Sequence, residues 1–247
     1  MKQVTFDFTG KNFVVTGASS GIGRQIAIEL AEAGANVLAI ARREKELQQL
    51  KMLYQGIMPA ALDVCDEEKL EAAIKAFVIQ CGKIDGAVHA AGIVSLTPLK
   101  MYDKFLADAI FETSLWSGVS LLQICTKVKV SNLEASFVLF SSTGSYNSAK
   151  GMFAYASAKG ALRIATRCFA KEISSRRLRV NTVSPGWVNT DMTDKLSETN
   201  DIDDIKKNHL LGIGNPEDVS GMVLFLLSDR AKWITGTDVI VDGGYLA

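Results

Sequence analysis

The stretch Asn12-Phe13-Val14-Val15-Thr16-Gly17-Ala18-Ser19-Ser20-Gly21-Ile22-Gly23-Arg24-Gln25-Ile26-Ala27-Ile28-Glu29-Leu30-Ala31-Glu32-Ala33-Gly34 holds one strand, one turn and one helix in immediate succession. Asn12 to Thr16 is a short β-rich run. From Gly21 the period changes: Ile22, Ile26, Leu30 and Ala33 recur at spacings of three and four, the mark of a helix with one apolar face. Gly34 stands where a helix C-terminus commonly takes glycine. The turn between carries Gly17, Gly21 and Gly23. Glycines there let backbone approach a pyrophosphate, and the helix N-terminus faces the negative charge. The spacing is neither G-x-G-x-x-G nor a P-loop, which ends in Gly-Lys-Ser/Thr. A tight turn with no ligand has the same composition, so the turn alone does not decide a function.

Working outward, the same alternation continues nearly to the end of the chain. Strands are predicted at Asn36–Ala41, Ile57–Leu62, Ile84–His89, Ala135–Ser141, Leu178–Val183 and Asp238–Val241. Helices are predicted at Arg43–Tyr54, Glu67–Cys81, Phe153–Ser175 and Glu217–Leu227, the last opened by Pro216. Met101–Val130 reads as one long, mostly helical stretch. Short apolar strands separated by helices define βαβ units, and right-handed crossovers put helices on both faces of a parallel sheet. The expectation is a single doubly wound, Rossmann-like α/β domain over residues 1–247. Residues 189–214 are polar and irregular with weak helical periodicity, as in a lid or insertion.

Composition narrows the class. The 247 residues are 48% hydrophobic and 22% charged, with 27 basic and 27 acidic side chains. That balance excludes a multi-span membrane protein and a disordered chain, and it argues against a nucleic-acid-binding surface. The basic stretches Arg42-Arg43 and Arg176-Arg177-Leu178-Arg179 are short. Cys65, Cys81, Cys125 and Cys168 form no CxxC, and only His89 and His209 accompany them, so no metal site is expected. Met1–Gly10 alternates polar and apolar residues and has no signal-peptide pattern, so a cytoplasmic protein with free thiols is expected.

The end of the second strand speaks to the cofactor. NAD sites commonly place an acid there, against the ribose hydroxyls. This chain has Arg42 and Arg43, and an arginine fork attracts a 2′-phosphate. NADP(H) is therefore expected over NAD(H), unless both arginines only solvate the following helix. Asp63, after the third strand, is placed for an adenine amino group or for capping the next helix.

Tyr155 and Lys159 stand four residues apart early in a predicted helix and share a face. A phenol titrates near pH 10 and needs tuning to exchange protons at neutral pH, and a neighbouring cation favours the phenolate. Ser142, at the end of the fifth strand, would hold a carbonyl or alcohol oxygen. Together they suit proton transfer coupled to hydride transfer. Spacing alone leaves this open, since Tyr and Lys share many helix faces by chance.

The ordered set of motifs resembles the short-chain dehydrogenase/reductase family over nearly the whole chain. Thr16 to Gly23 matches its TGxxxGxG, Tyr155 to Lys159 its YxxxK, Asn181 to Thr190 its N-x-x-x-PG-x-x-x-T segment, and Val241-Asp242-Gly243-Gly244 its last strand and turn. The resemblance implies a sheet of order 3-2-1-4-5-6-7 and a substrate lid over 189–214. It makes Tyr155 the general acid/base, Lys159 the partner of the nicotinamide ribose, and Ser142 the group that orients the substrate oxygen. It places the cofactor against Gly17, Ser19, Ser20, Gly21, Ile22 and Gly23, then Arg42, Arg43, Asp63 and Val64, then Ala90, Ala91 and Gly92. Tyr155, Lys159, Pro185, Gly186, Val188, Thr190 and Met192 complete that expected contact set.

Two positions depart from the family pattern. His89 replaces the first residue of Asn-Asn-Ala-Gly, and Ser114 stands where the family has the asparagine of a proton relay. Met192, Leu196, Ile202 and Ile205 are expected in the lid. Ser95, Leu96, Tyr146, Met152 and Trp187 are expected at the substrate rim. The length resembles 3-oxoacyl-acyl-carrier-protein reductases, so a substrate on acyl-carrier protein or coenzyme A is one expectation. Lys127, Lys129, Arg176 and Arg177 are then candidates to hold an acidic carrier. A sugar or polyol dehydrogenase is the alternative, and a non-catalytic dinucleotide-binding regulator the second. The family resemblance also implies a homodimer or homotetramer through 101–130, 153–175 and 233–247.

Overall fold

The computed structural model describes residues 4–197 and 206–247, with backbone alone for 195–197. Seven parallel strands form one sheet: β1 (Asn12–Thr16), β2 (Asn36–Ala41), β3 (Ile57–Ala61), β4 (Ile84–His89), β5 (Ser131–Phe140), β6 (Arg179–Pro185) and β7 (Asp238–Val241). Their order across the sheet is β3-β2-β1-β4-β5-β6-β7. The helices are α1 (Gly21–Glu32), α2 (Glu44–Leu53), α3 (Glu67–Cys81), α4 (Lys104–Phe111), α5 (Ser117–Cys125), α6 (Phe153–Ile173), α7 (Asp191–Ser197) and α8 (Pro216–Leu227).

Central strands are covered on both faces, and all five residues of β1 are buried, with the apolar Phe13, Val14 and Val15 at its middle. Their side chains alternate between two cores. Phe13, Val15, Val37 and Ala39 pack with Ile26 and Leu30 of α1 and Val219 and Val223 of α8. Val14, Leu38 and Ile40 pack on the other face with Leu70 and Ile74 of α3, Leu121 of α5 and Leu162 of α6. The chain leaves β1 toward β2 on one side and reaches β4 on the other, with Thr16 paired to His89. That reversal opens a crevice at the carboxyl ends of β1 and β4, where open α/β sheets bind ligands.

Two elements differ from the sequence expectation. The stretch 101–130 is not one helix. A 3₁₀ turn (Leu99–Met101) precedes α4, a five-residue π-helical turn (Glu112–Trp116) joins α4 to α5, and turns follow Cys125. Continuous apolar periodicity does not reveal a π turn, because it adds one residue without adding polarity. Lys104–Cys125 has the length and hydropathy of a membrane span, but half of it is buried against the fold. Strand β5 starts at Ser131 rather than at 135. Its ladder with β4 jumps from Ile84–Ser131 to Gly86–Ser136, and Glu134 in the jump adopts φ 65°. Such a bulge disguises the start of a strand, because period-two alternation breaks inside it.

Candidate active site

The dinucleotide half of the crevice is built by close backbone packing. Gly17 has φ +71°, and a methyl group there would lie 2.7 Å from the Ala90 carbonyl carbon. One on Gly23 would lie 2.5 Å from the Gly17 oxygen. Glycine is therefore required for the turn to dock on the end of β4. Among the described residues no side chain caps the N-terminus of α1, and no acid stands in its first turn. The leading amides of the helix thus remain available for an anion.

Arg42 and Arg43 flank this turn at the end of β2. The Arg43 Nε donates to Ser19 Oγ at 3.1 Å, and a terminal nitrogen donates to Asp191 Oδ2 at 3.3 Å. Arg42 lies 4.0 Å from Asp63 Oδ2. Asp63 also accepts from the Cys65 amide at 3.0 Å. It does not cap α3; Asp66 does, accepting from the Lys69 amide.

Behind the turn lies a buried polar chain. The Ala91 amide donates to Thr16 Oγ1 at 3.3 Å, and Thr16 Oγ1 stands 3.0 Å from His89 Nδ1. His89 Nε2 is 3.4 Å from Ser117 Oγ, which donates to the Thr113 carbonyl at 2.7 Å. With the Ser117 proton committed, a consistent chain has Nε2–H donating to Ser117 and Nδ1 accepting from Thr16. Burial, and then the Lys159 charge, push His89 down from 6.5 to about 3, so it is neutral. His89 thus ties β1 and β4 to the π turn, and its side chain is absent from the crevice wall.

The second half of the crevice depends on side chains. Ser142 follows β5, and its Oγ accepts from the Gly144 amide at 3.1 Å. Tyr155 and Lys159 sit one turn apart on α6, with Lys159 Nζ 5.8 Å from the Tyr155 ring centre. The Lys159 ammonium donates to the Phe140 carbonyl at 2.7 Å, fixing it beside the end of β5. Burial lowers Lys159 from 10.5 to about 8. Burial raises the Tyr155 phenol, and its hydrogen bond with Ser142 offsets that in part. The protein alone therefore does not push this tyrosine toward phenolate.

Ser114 lies in the π turn, fully buried, and its Oγ has no hydrogen-bond partner among the described residues. A methyl group on Gly92 would lie 3.4 Å from Lys159 Nζ and 3.6 Å from Ser114 Oγ, so both polar atoms flank Gly92.

One cleft of about 840 Å³ unites these parts. Ser142, Tyr155, Lys159 and every residue expected to contact the cofactor line it; Ser114 does not. Ser95, Leu96, Met152 and Trp187 also line it. Tyr146 does not: its hydroxyl donates to Asp238 at 2.6 Å and its ring lies under Arg163. Ile202, Ile205 and the Leu196 side chain fall outside the described residues.

The basic residues considered for a carrier stand at the wrong end of the sheet. Lys127 and Lys129 precede β5, and Arg176 and Arg177 precede β6, whereas the cleft opens at the carboxyl ends. Arg176 donates to the Thr126 and Ser131 carbonyls, Lys127 pairs with Glu71, and Arg177 pairs with Glu134. Cys65 and Cys168 are exposed, Cys125 is buried, and the described residues hold no cluster of metal-binding side chains.

The fold adds residues that spacing did not single out. Tyr245 stacks on His209 with ring centres 4.8 Å apart, and Asn147 donates to the Tyr245 hydroxyl at 3.2 Å. The His209 Nε2 accepts from the Trp187 amide at 3.0 Å. All four line the cleft. The only hint in the sequence was the position of Tyr245 directly after the Gly243-Gly244 turn.

The crevice at the strand reversal, the uncapped α1 and the Ser142, Tyr155 and Lys159 group make this an NAD(P)-dependent oxidoreductase of Rossmann architecture. The chain belongs to the short-chain dehydrogenase/reductase family. A family model described as enoyl-(acyl carrier protein) reductase matches residues 17–246. The chain is 31% identical over 239 residues to the 3-oxoacyl-acyl-carrier-protein reductase FabG of Thermotoga maritima, covering 95% of this chain and 97% of that one. It is 32% identical to D-erythrulose reductase of Gallus gallus, with 97% of each chain covered. The crystal structure of a short-chain dehydrogenase/reductase from Brucella melitensis, described as a glucose/ribitol dehydrogenase, superposes with TM-score 0.92 at 27% identity, covering 98% of this chain and 99% of that one.

Proposed function

We propose that the protein is an NADPH-dependent reductase of small hydroxylated ketones. The observation that carries the substrate class is the Asn147–Tyr245 pair at the cleft. The Tyr245 hydroxyl accepts from Asn147 and keeps its own proton to donate, and the Asn147 carbonyl oxygen accepts no described bond. A substrate hydroxyl both donates and accepts, and this pair answers both needs. The tyrosine is held for that task by His209 on its ring face and by Asp242, which accepts from the Gly244 and Leu246 amides. Relatives that reduce erythrulose and xylulose agree with this reading. A 3-oxoacyl thioester is the second reading, from the FabG relatives.

The donor set fits a dinucleotide: free helix amides for the pyrophosphate, Arg42 and Arg43 for the 2′-phosphate, and Lys159 for the ribose. When bound, reduced nicotinamide supplies the hydride. Ser142 donates a hydrogen bond to the substrate oxygen and polarises it. Tyr155 gives its phenolic proton to the same oxygen as negative charge develops there. A phenol held in its protonated form suits the reducing direction, in which it must donate. Lys159 supplies positive charge beside the phenolate left behind. We place the substrate lid over residues 189–214, of which 198–205 lie outside the described residues. The chain assembles as a dimer or tetramer, with Phe105 and Trp116 exposed on the α4–α5 face as the contact. A monomeric mass by light scattering would remove that last part.

The test is a fluorescence titration with NADPH and NADH, followed by reduction of erythrulose and of a short 3-oxoacyl thioester. NADPH should bind tighter and erythrulose should turn over. Tyr245→Phe should raise the KM for erythrulose about 3- to 10-fold, the worth of one hydrogen bond, and leave a ketone without hydroxyls unchanged. Faster turnover of the thioester, with no effect of Tyr245→Phe, selects the second reading.

A further inference from the structure

We infer that Asp191 sets the cofactor selectivity of this protein by competing with the ribose 2′-phosphate for Arg43. The inference rests on the NADP(H) reading above and concerns a residue that lies outside the family motifs.

Asp191 comes from a part of the chain remote from the arginines in sequence, yet its Oδ2 lies 3.3 Å from Arg43. It is held there by its neighbour. The Thr190 side chain sits 3.1 Å from where a methyl group on Gly21 would be, so the start of α7 lies directly over the α1 turn. Thr190 is fixed in turn: its amide donates to Thr193 Oγ1 at 3.0 Å, and that hydroxyl donates to the Val188 carbonyl at 2.6 Å. Arg43 is anchored on its other side by Ser19 Oγ. The pair therefore bridges the two walls of the cofactor cleft rather than decorating one of them.

The second arginine has an acid beside it as well, since Arg42 lies 4.0 Å from Asp63. Two arginines and two carboxylates balance at the place where a 2′-phosphate would bind. The two cofactors meet this balance differently. A phosphate monoester carries nearly two negative charges at neutral pH and prefers a bidentate guanidinium partner. To engage Arg43 it must displace the Asp191 carboxylate or remain against its charge. A ribose hydroxyl carries no charge and leaves the Arg43–Asp191 pair intact. Asp191 thus weakens NADPH binding and spares NADH. Both side chains are about half exposed, at 45% and 64%, so water and salt screen the effect.

The experiment measures affinities of NADPH, NADH and the fragment 2′,5′-ADP at low and high salt. The proteins are wild type, Asp191→Asn, Arg43→Gln, Arg42→Gln and the Asp191→Asn/Arg43→Gln double variant. Asp191→Asn should tighten NADPH and 2′,5′-ADP about 3- to 5-fold at low salt, leave NADH unchanged, and lose most of its effect at high salt. In the Arg43→Gln background the same substitution should do nothing. An equal gain for NADH, no gain for NADPH, or a gain that survives Arg43→Gln overturns the inference. If Arg43→Gln weakens NADPH while Asp191→Asn is silent, only the role of Asp191 fails. If neither arginine variant, Arg42→Gln included, affects NADPH or 2′,5′-ADP, the NADP(H) reading fails and takes the inference with it.

Discussion

The two halves of the sheet prepare the same cleft by opposite means. On the β1–β4 side the work is done by main chain: glycines without side chains, uncapped helix amides, and a turn pressed against Ala90. On the β5–β7 side it is done by side chains: Ser142, Tyr155 and Lys159, each aimed by a hydrogen bond or by burial. A backbone site tolerates no added atoms, whereas a side-chain site tolerates volume but not a change of chemistry. Substitutions in the two halves should therefore fail in different assays.

The largest expected effect is chemical. Tyr155→Phe keeps the ring and removes the proton donor, so kcat should fall about 10³-fold, the scale of general acid catalysis. NADPH affinity should stay within about twofold, since most of the cleft contacts are unchanged. Loss of cofactor binding together with kcat would erase the distinction between the halves. Next comes the buried His89 that joins them. Its folded pKa is depressed from 6.5 to about 3, so the unfolded chain takes up a proton that the folded chain refuses. Its contribution to stability is intact above pH 6.5 and is lost progressively as the pH falls toward 3. Urea unfolding between pH 7 and pH 4 should show a decline that is shallower in His89→Asn. Parallel declines in the two proteins would mean that His89 is not the group responsible. The smallest effect is steric. Gly17→Ala sets a methyl 2.7 Å from the Ala90 backbone at a positive φ and should cost about 2 kcal/mol of stability. Dinucleotide affinity should fall, while the Tyr155 and Lys159 geometry survives on α6. Unchanged NADPH binding in Gly17→Ala would show that the turn does not hold the cofactor.

The backbone half was the more legible. Glycine spacing, strand length and helix period are local quantities, and the turn falls between β1 and α1 as they predict. The resemblance brought the Ser142, Tyr155 and Lys159 group with it, and the fold collects all three on one wall. The π turn was not legible, because an added residue in an apolar helix leaves the hydrophobic pattern nearly unchanged. It buries Ser114 beside Gly92 with its hydroxyl unpaired. Equally invisible were the wrong-end position of Arg176 and Lys127, and the replacement of Tyr146 by Asn147 in the cleft wall.

By itself the amino-acid sequence determined the doubly wound sheet and the glycine-rich turn that opens it, because periodicity and glycine spacing are local. Tyr155 and Lys159 came forward through the family resemblance, since their spacing alone left the pair open. Only the tertiary structure decided which polar groups meet. Arg43 with Asp191, Tyr245 with Asn147, and His89 with Thr16 and Ser117 are pairs remote in sequence, made by the crossings of the sheet. Long-range contacts of this kind leave no periodic trace, since they depend on where α7 and the C-terminal turn come to rest over the ends of the strands.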